Sequence, residues 1–443
     1  MKNTRFGMVY GGWRVLAGSF FCAAVVVGFT TYIFGMFVMP VTKEFGISRA
    51  NFNSGMIAFL MGGGLMAPIV GNLLDRYSGR LLSSVGGILF GGSLMLISRV
   101  DSLWLMLALI FLPLTFGAAT CGVLGANTLV VSWFQRRRGR ALGILALSTS
   151  FGGFVSQPVT ALLIESFGWR DALFLIGLGA VLIFFTVISL TARTRPTTAE
   201  AGYADEFSPS VQVNQPKPGI SQERSWSNRE LLRNRNFWFL TIGLALLFGT
   251  DQAVLVSQAS FFQDTGLDLK TTALLISVKT ISAVGGKLAI GFLSDKVNLR
   301  LLYAYVAGSN MLLMCIYILQ PSFVILLISV ALLGVAVGGV FPLWATLIAW
   351  LFGGRSYGKV MGTSMIIMQP FAVVALRFIG EVYDRTGSYH LAFGTFIPLV
   401  FTSVVLIGML KPERDDTANA EAALPEDRSP QWRATAATDG VAR

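Results

Sequence analysis

Four charged side chains fall inside stretches that are otherwise apolar: Asp251, Lys279, Lys287 and Arg377. A charge at membrane depth costs about 3 kcal/mol or more, so such a residue marks a function by default. Lys279 and Lys287 are eight residues apart, about 80° around a helix of 3.6 residues per turn. With Ser282, Ala283 and Gly286 they form one narrow stripe, whose small members would leave room for water or a ligand. Each lysine lies more than about 10 Å along the helix from the nearest end of its stretch, deep for snorkelling. Ammonium groups so placed can capture an anion. Asp251 is the only acid at that depth. It can neutralise a lysine permanently, or bind and release a proton during a cycle. Arg377 stands four residues before Glu381, the spacing of a helical ion pair near a membrane face, and it too can meet an anion. His390, the single histidine, opens the last apolar stretch. Thr30, Thr31, Tyr32, Asn127, Gln157, Trp344 and Gln369 are the uncharged candidates for a central cavity, each equally compatible with helix–helix hydrogen bonding.

The elements that must position these groups are membrane helices. Of the 443 residues, 54% are hydrophobic and 13% charged, against about 25% charged in soluble domains. Twelve apolar stretches are long enough to cross a bilayer, six before the segment 193–236 and six after it. The expected organisation is a six-helix half over 1–192, a polar linker over 193–236, a second six-helix half over 237–410, and a disordered tail over 411–443. Within the linker, Ser227-Asn-Arg-Glu-Leu-Leu-Arg233 reads as a short surface helix. The first six stretches hold no charge at depth, so the buried charges belong to one half alone.

Other chemistries find no support. The net charge of +11 reflects basic residues in the connections, not a nucleic-acid surface. Cys22, Cys121 and Cys315 all lie in apolar runs and suggest no disulfide framework. Asp and His are too sparse for a metal cluster, and no phosphate-binding glycine loop points to ATP. No cofactor is expected. The first apolar run is too long for a cleavable signal and lacks a small-residue cleavage site, so it reads as a retained helix.

Basic residues set the orientation. Most of the 34 Lys and Arg fall in the N-terminus, the even-numbered connections and the tail. Only Lys43, Arg49, Arg99, Arg170, Lys270 and Arg385 occupy the odd-numbered ones. This bias puts both termini and the linker in the cytoplasm, in a cytoplasmic (inner) membrane, with Arg136-Arg-Arg-Gly-Arg140 as the strongest anchor.

A short motif occurs twice. Gly71-Asn-Leu-Leu-Asp75-Arg76-Tyr-Ser-Gly-Arg80 is answered 220 residues later by Gly291-Phe-Leu-Ser-Asp295-Lys296-Val-Asn-Leu-Arg300. Gly139-Arg140-Ala-Leu-Gly143 is answered by Gly358-Lys359-Val-Met-Gly362, and Gly168–Phe174 by Gly387–Phe393, both 219 residues on. Three matches in one order at nearly one offset indicate two related halves.

The Gly-x-Leu-x-Asp-Arg/Lys turn between membrane helices, present in both halves, resembles the signature of the major facilitator superfamily of secondary transporters. Trp133-Phe134-Gln-Arg-Arg-Arg138-Gly139-Arg-Ala-Leu-Gly143, Gly152-Gly153, Gln157-Pro158, Gly168-Trp169-Arg170 and Tyr10-Gly-Gly-Trp13 resemble the monocarboxylate porter and oxalate/formate antiporter groups. The resemblance covers Gly11–Lys411 apart from the linker. It implies an all-α fold of 12 transmembrane helices in two pseudo-symmetric halves, acting as a monomer. It also implies that Lys287, four residues before Gly291, stands where those groups place the cation that binds a carboxylate. They usually have arginine there, and lysine keeps the charge without the bidentate fork. Monocarboxylate porters often carry an acid one turn earlier, where this chain has Ala283, and Asp251 is the nearest substitute.

The resulting expectation is a transporter of a small organic anion, a mono- or dicarboxylate, working by alternating access with proton coupling through Asp251. Lys287, Lys279, Tyr32, Asn127, Gln369 and Arg377 are its substrate-binding candidates. Gly71, Asp75, Arg76, Arg80, Arg140, Asp295, Lys296 and Arg300 are candidates for a cytoplasmic gate. The alternatives are a proton-driven exporter of drugs or other hydrophobic compounds and, more remotely, a membrane sensor without transport.

Overall fold

The computed structural model describes residues 11–77, 79–134, 138–191, 226–294, 296–320, 322–353 and 357–411. Among them the chain is helical, without strands. Eleven helical stretches are long and apolar enough to cross a membrane. One of them, 50 residues long, is two spans in series. Gly168 divides it, with φ 77° and ψ 167°, a conformation that costs a residue with a Cβ dearly. The twelve spans are α1 (Gly11–Tyr32), α2 (Arg49–Arg76), α3 (Gly79–Ile97), α4 (Leu103–Val130), α5 (138–167) and α6 (169–191), then α7 (Arg235–Asp264), α8 (Leu269–Leu293), α9 (Leu299–Leu319), α10 (Phe323–Phe352), α11 (Tyr357–Thr386) and α12 (His390–Gly408). The twelve-helix, two-half layout follows from them.

Local chemistry sets the helix ends. Ser48 Oγ accepts the Asn51 N–H at 3.2 Å to open α2, and Asn234 Oδ1 accepts the Asn236 N–H at 2.8 Å to open α7. The short linker helix spans Asn228–Arg233 behind a Ser227/Glu230 capping box. It is tied down more firmly than a free linker requires. Leu231 and Trp226 are buried, and the Lys359 ammonium donates to the Trp226 carbonyl at 2.9 Å. Of the remaining linker, 193–225 lies outside the described residues, as does the tail beyond residue 411.

Three spans are interrupted. α1 loosens into a wide turn over Gly28–Tyr32, and tight turns at Phe34–Phe37 lead into a short helix Val38–Phe45. α4 is broken at Gly122, and α10 at the corresponding place, Gly338 and Gly339. Backbone groups freed inside a membrane need partners. At the α1 interruption Thr30 donates to the Val26 carbonyl at 2.6 Å, and the Gln157 amide of α5 donates to the Tyr32 carbonyl at 2.5 Å. Interrupted helices in matching positions of two halves point to where a transported solute binds.

Between the halves, α5 packs on α8, α2 on α11, and α1 on α7. Two of these contacts bring backbones together. A Cβ at Gly35 would lie 2.2 Å from the Val256 carbonyl oxygen, and one at Gly380 would lie 2.6 Å from the Ala50 Cα. No side chain fits at either place.

Candidate functional site

Lys279 is buried, and its ammonium donates to Gln258 Oε1 of α7 at 3.1 Å. Asp251, two turns earlier on α7, lies within electrostatic reach of Lys279, yet the two do not close an ion pair. Tyr32, at the interruption of α1, is also within electrostatic reach of Asp251. Its ring lies against Gly153 of α5, with Thr280 of α8 beside it. Tyr32, Asp251 and Lys279 therefore converge from α1, α7 and α8 at mid-depth, where first half meets second.

Lys287 sits two turns further toward the face where α1 begins and α12 ends. Its ammonium donates to the Thr149 hydroxyl at 2.5 Å and the Ala146 carbonyl at 3.1 Å, both on α5. Its partners are dipoles of the opposite half; among the described residues no acid pairs with it. The expected spacious stripe beside the lysines takes another form. A Cβ at Gly286 would lie 1.8 Å from the Val335 carbonyl oxygen, and Ala283 and Ser282 abut Gly338 and Gly334. These small residues are there to let α10 pack closely on α8, so they do not create free volume.

The uncharged candidates separate. Among the described residues the buried Trp344 indole N–H finds no partner, and neither does the buried Gln369 Oε1. Thr30 and Gln157 are used in holding the α1 interruption. Asn127 is half-buried on α4, and Thr31 is half-buried beside Tyr32. Arg377 stands apart from the central group, with its guanidinium 3.6 Å from Glu381 and 3.4 Å from Asn51 Oδ1. His390 meets the Gln320 side chain at 3.1 Å at the face where α9 ends and α12 begins.

In the repeated turns, Arg76, Arg80 and Lys296 are exposed, and Gly71 faces open space. The Arg300 guanidinium lies 5.5 Å from the centre of the Trp350 ring. The side chains of Asp75 and Arg140, and the whole of Asp295, lie outside the described residues.

The far face, opposite the start of α1 and the end of α12, holds a cluster that sequence reasoning missed. The Arg49 guanidinium grips the Asp264 carboxylate at 2.6 and 2.8 Å, accepts no exposure beyond 10% of its side chain, and donates to the Tyr389 hydroxyl at 2.7 Å. It stacks 3.6 Å above the Tyr383 ring. The backbone N–H groups of Arg49 and Ala50 donate to the Asp384 carboxylate at 2.8 and 2.9 Å. Arg49 and Ala50 belong to the first half, the four partners to the second. Lys270 pairs with Glu165 at 2.6 Å across the same face, and Asn53 reaches the Leu376 carbonyl at 2.9 Å. Within the first half, Arg170 holds Glu44 and Asp101, each at 2.7 Å. A signal for this cluster existed. Arg49, Arg99, Arg170, Lys270 and Arg385 are exceptions to the bias of basic residues, and every one of them is paired with an acid.

Comparison with known proteins accords with this architecture. Monocarboxylate transporter 12 of Rattus norvegicus is 25% identical over 419 residues, covering 89% of this chain and 84% of that protein. An agnestins efflux protein of Paecilomyces divaricatus is 26% identical over 409 residues, covering 90% and 87%. Among solved structures, the nucleoside transporter NupG superposes with a TM-score of 0.67 at 14% identity, over 91% of this chain and 100% of that one, a likeness of fold alone. The model of the Major Facilitator Superfamily matches residues 20–319 and 258–437. With twelve spans, matched interruptions in α4 and α10, and a polar seam between two halves, the chain belongs to the Major Facilitator Superfamily of transporters.

Proposed function

We propose that this transporter carries a small organic anion, a mono- or dicarboxylate, and that Lys287 is its principal receptor. The observation that carries the reading is the company Lys287 keeps. An ammonium deep in a membrane protein is normally matched by a carboxylate, and this one is held, among the described residues, by a hydroxyl and a carbonyl of the opposite half. Neutral dipoles solvate a cation without cancelling its charge, so a carboxylate entering the seam gains a charge-assisted bond. Lys279 adds a second positive charge about 12 Å along α8, at 1.5 Å rise per residue, which suits a solute drawn along the seam. The name of the rat relative agrees with a monocarboxylate. The fungal relative's name points to efflux of agnestins, and the two cations of α8 favour the anion.

Asp251 is the coupling group in this reading. It lies near Lys279 without being fixed in an ion pair, so a proton can join or leave it as the solute binds. The termini lie on the cytoplasmic side, the far face is external, and 1–192 and 237–410 are the rocking halves. The Gly71–Arg80 and Gly291–Arg300 turns, with Arg140, latch the cytoplasmic side when the external side opens. A monomer in the cytoplasmic membrane suffices for the cycle.

The test is counterflow in proteoliposomes with a panel of labelled mono- and dicarboxylates, beside uncharged analogues of matched size. Lys287→Gln should insert normally and lose flux, while Lys287→Arg should keep part of it. Wild-type flux in Lys287→Gln, or equal transport of the uncharged analogues, would sink the assignment.

A further inference from the structure

We propose that Arg49 is a carboxylate-receiving subsite at the external mouth of the pathway, and that Asp264 occupies it in the closed state in place of the solute. The inference rests on the reading of the solute as an organic anion. Arg49 presents its fork to both oxygens of one carboxylate, at 2.6 and 2.8 Å, the arrangement that selects carboxylates over other anions. The Tyr383 ring at 3.6 Å and the Tyr389 hydroxyl at 2.7 Å hold the guanidinium in that pose. A cavity of about 580 Å³ adjoins it, lined among others by Thr42, Lys43, Ser48, Tyr383 and Asp384. Arg49 therefore borders a space large enough for a small solute, and Lys43 adds a second positive charge to it.

Ownership of the groups decides what opening does. Arg49, Lys43 and Ser48 belong to the first half; Asp264, Tyr383, Asp384 and Tyr389 belong to the second. When the halves part at this face, Asp264 leaves and the fork is emptied. A guanidinium stripped of its partner is costly while any part of it remains buried. A carboxylate solute arriving from outside restores the bond that opening broke. It thereby stabilises the open state by its preference for that state over the closed one, where Asp264 competes as a tethered ligand. The same residue is both lock and first receptor, and the solute is the competitor that releases the lock.

The two roles separate by chemical modification of the full-length protein in detergent. Phenylglyoxal attacks free guanidinium groups, and peptide mass mapping reads Arg49 individually. Asp264→Asn should raise the Arg49 modification rate about tenfold, the size of one lost contact of about 1.4 kcal/mol. Millimolar formate or malonate should slow it again, while acetamide, or chloride at equal ionic strength, should not. Tyr389→Phe, a milder change that keeps the ring, should give a smaller rise with the same protection. It serves as the reporter if Asp264→Asn does not fold. An Arg49 that reacts no faster in either variant overturns the masking by Asp264. Fast modification that carboxylates leave untouched, or that chloride slows equally, reduces Arg49 to a lock and overturns the subsite. Flux measured in parallel keeps the two readings apart. Protection without carboxylate transport refutes the proposed function and leaves the subsite standing, whereas carboxylate transport without protection does the reverse.

Discussion

Gly380→Ala should tip this protein toward the state open at its far face. The added methyl would sit 2.6 Å from the Ala50 Cα, 2.9 Å from the Ala50 nitrogen and 3.0 Å from Asn53 Nδ2. Two of those atoms are backbone, and Asp384 pins that backbone through the N–H groups of Arg49 and Ala50. Neither helix can slide aside cheaply, so α2 and α11 must separate by about 1 Å to reach ordinary contact. Overpacking of this kind costs about 1–3 kcal/mol. The cost exists only where α2 and α11 touch, so it falls on the closed state and vanishes on opening. The open-to-closed ratio should therefore rise about 5- to 150-fold. Spin labels at Ser102 and Ser322, in far-face connections of opposite halves, report the change by pulsed dipolar spectroscopy, with Cys315 replaced by Ala to silence the half-buried thiol. A longer-distance population should grow in Gly380→Ala. It should not grow in Gly394→Ala, a control with nothing within 4 Å of the new methyl. An unchanged distribution in a folded, monodisperse Gly380→Ala protein would refute the view that the α2–α11 contact seals this face.

Other outcomes follow from the same geometry. Asp251→Asn should abolish acid-stimulated uptake and spare solute exchange in the same reconstituted sample; unchanged acid stimulation would remove Asp251 from the coupling role. Arg170 and the Trp169 indole hold the Glu44 carboxyl below the usual carboxylate range. A depressed native pKa adds stability above the unfolded value of about 4.3 and loses it as pH falls through the native one. The melting temperature of Glu44→Gln should accordingly fall below wild type at neutral pH, and the gap should close in acid; a gap that persists at about pH 2 would show that the ionised carboxylate is not its source. A protease tag at either terminus should resist protease added outside intact cells, and cleavage there would invert the proposed orientation.

The spans were legible because a bilayer demands a minimum apolar length, and composition alone reveals it. That Asp251, Lys279 and Lys287 lie inside spans was legible from the same apolar runs, and the cost of a charge at depth is what singles them out as candidates. Packing was not legible. Ser282, Ala283 and Gly286 looked like space around the lysines, yet small residues equally admit a neighbouring backbone, and only the position of α10 decides between the two. The Arg49–Asp264 contact was hidden further. Its members stand 215 residues apart, at helix ends where charge is commonplace. What set Arg49 apart was its place in an odd-numbered connection, where basic residues are few. A basic residue in such a place needs a local reason, and in five of six instances that reason is an acid.

The distribution of these contacts bears on how such a molecule can move. All the charges at depth belong to the second half, and across the seam Lys287 meets, among the described residues, the Ala146 carbonyl and the Thr149 hydroxyl. A buried ion pair spanning the halves at that level would cost about 3–5 kcal/mol to break, because each charge would be left bare. Hydrogen bonds from a cation to neutral dipoles contribute about 1.5–3 kcal/mol, and water or a solute carboxylate can replace them as the seam opens. Among the described residues the cross-half ion pairs, Arg49 with Asp264 and Lys270 with Glu165, lie instead at the far face. There water reaches both partners as they separate, so the bond is strong while closed and cheap to lose once opening begins. Placing exchangeable dipoles deep and ion pairs at the rim lets one structure be held firmly shut and still be released.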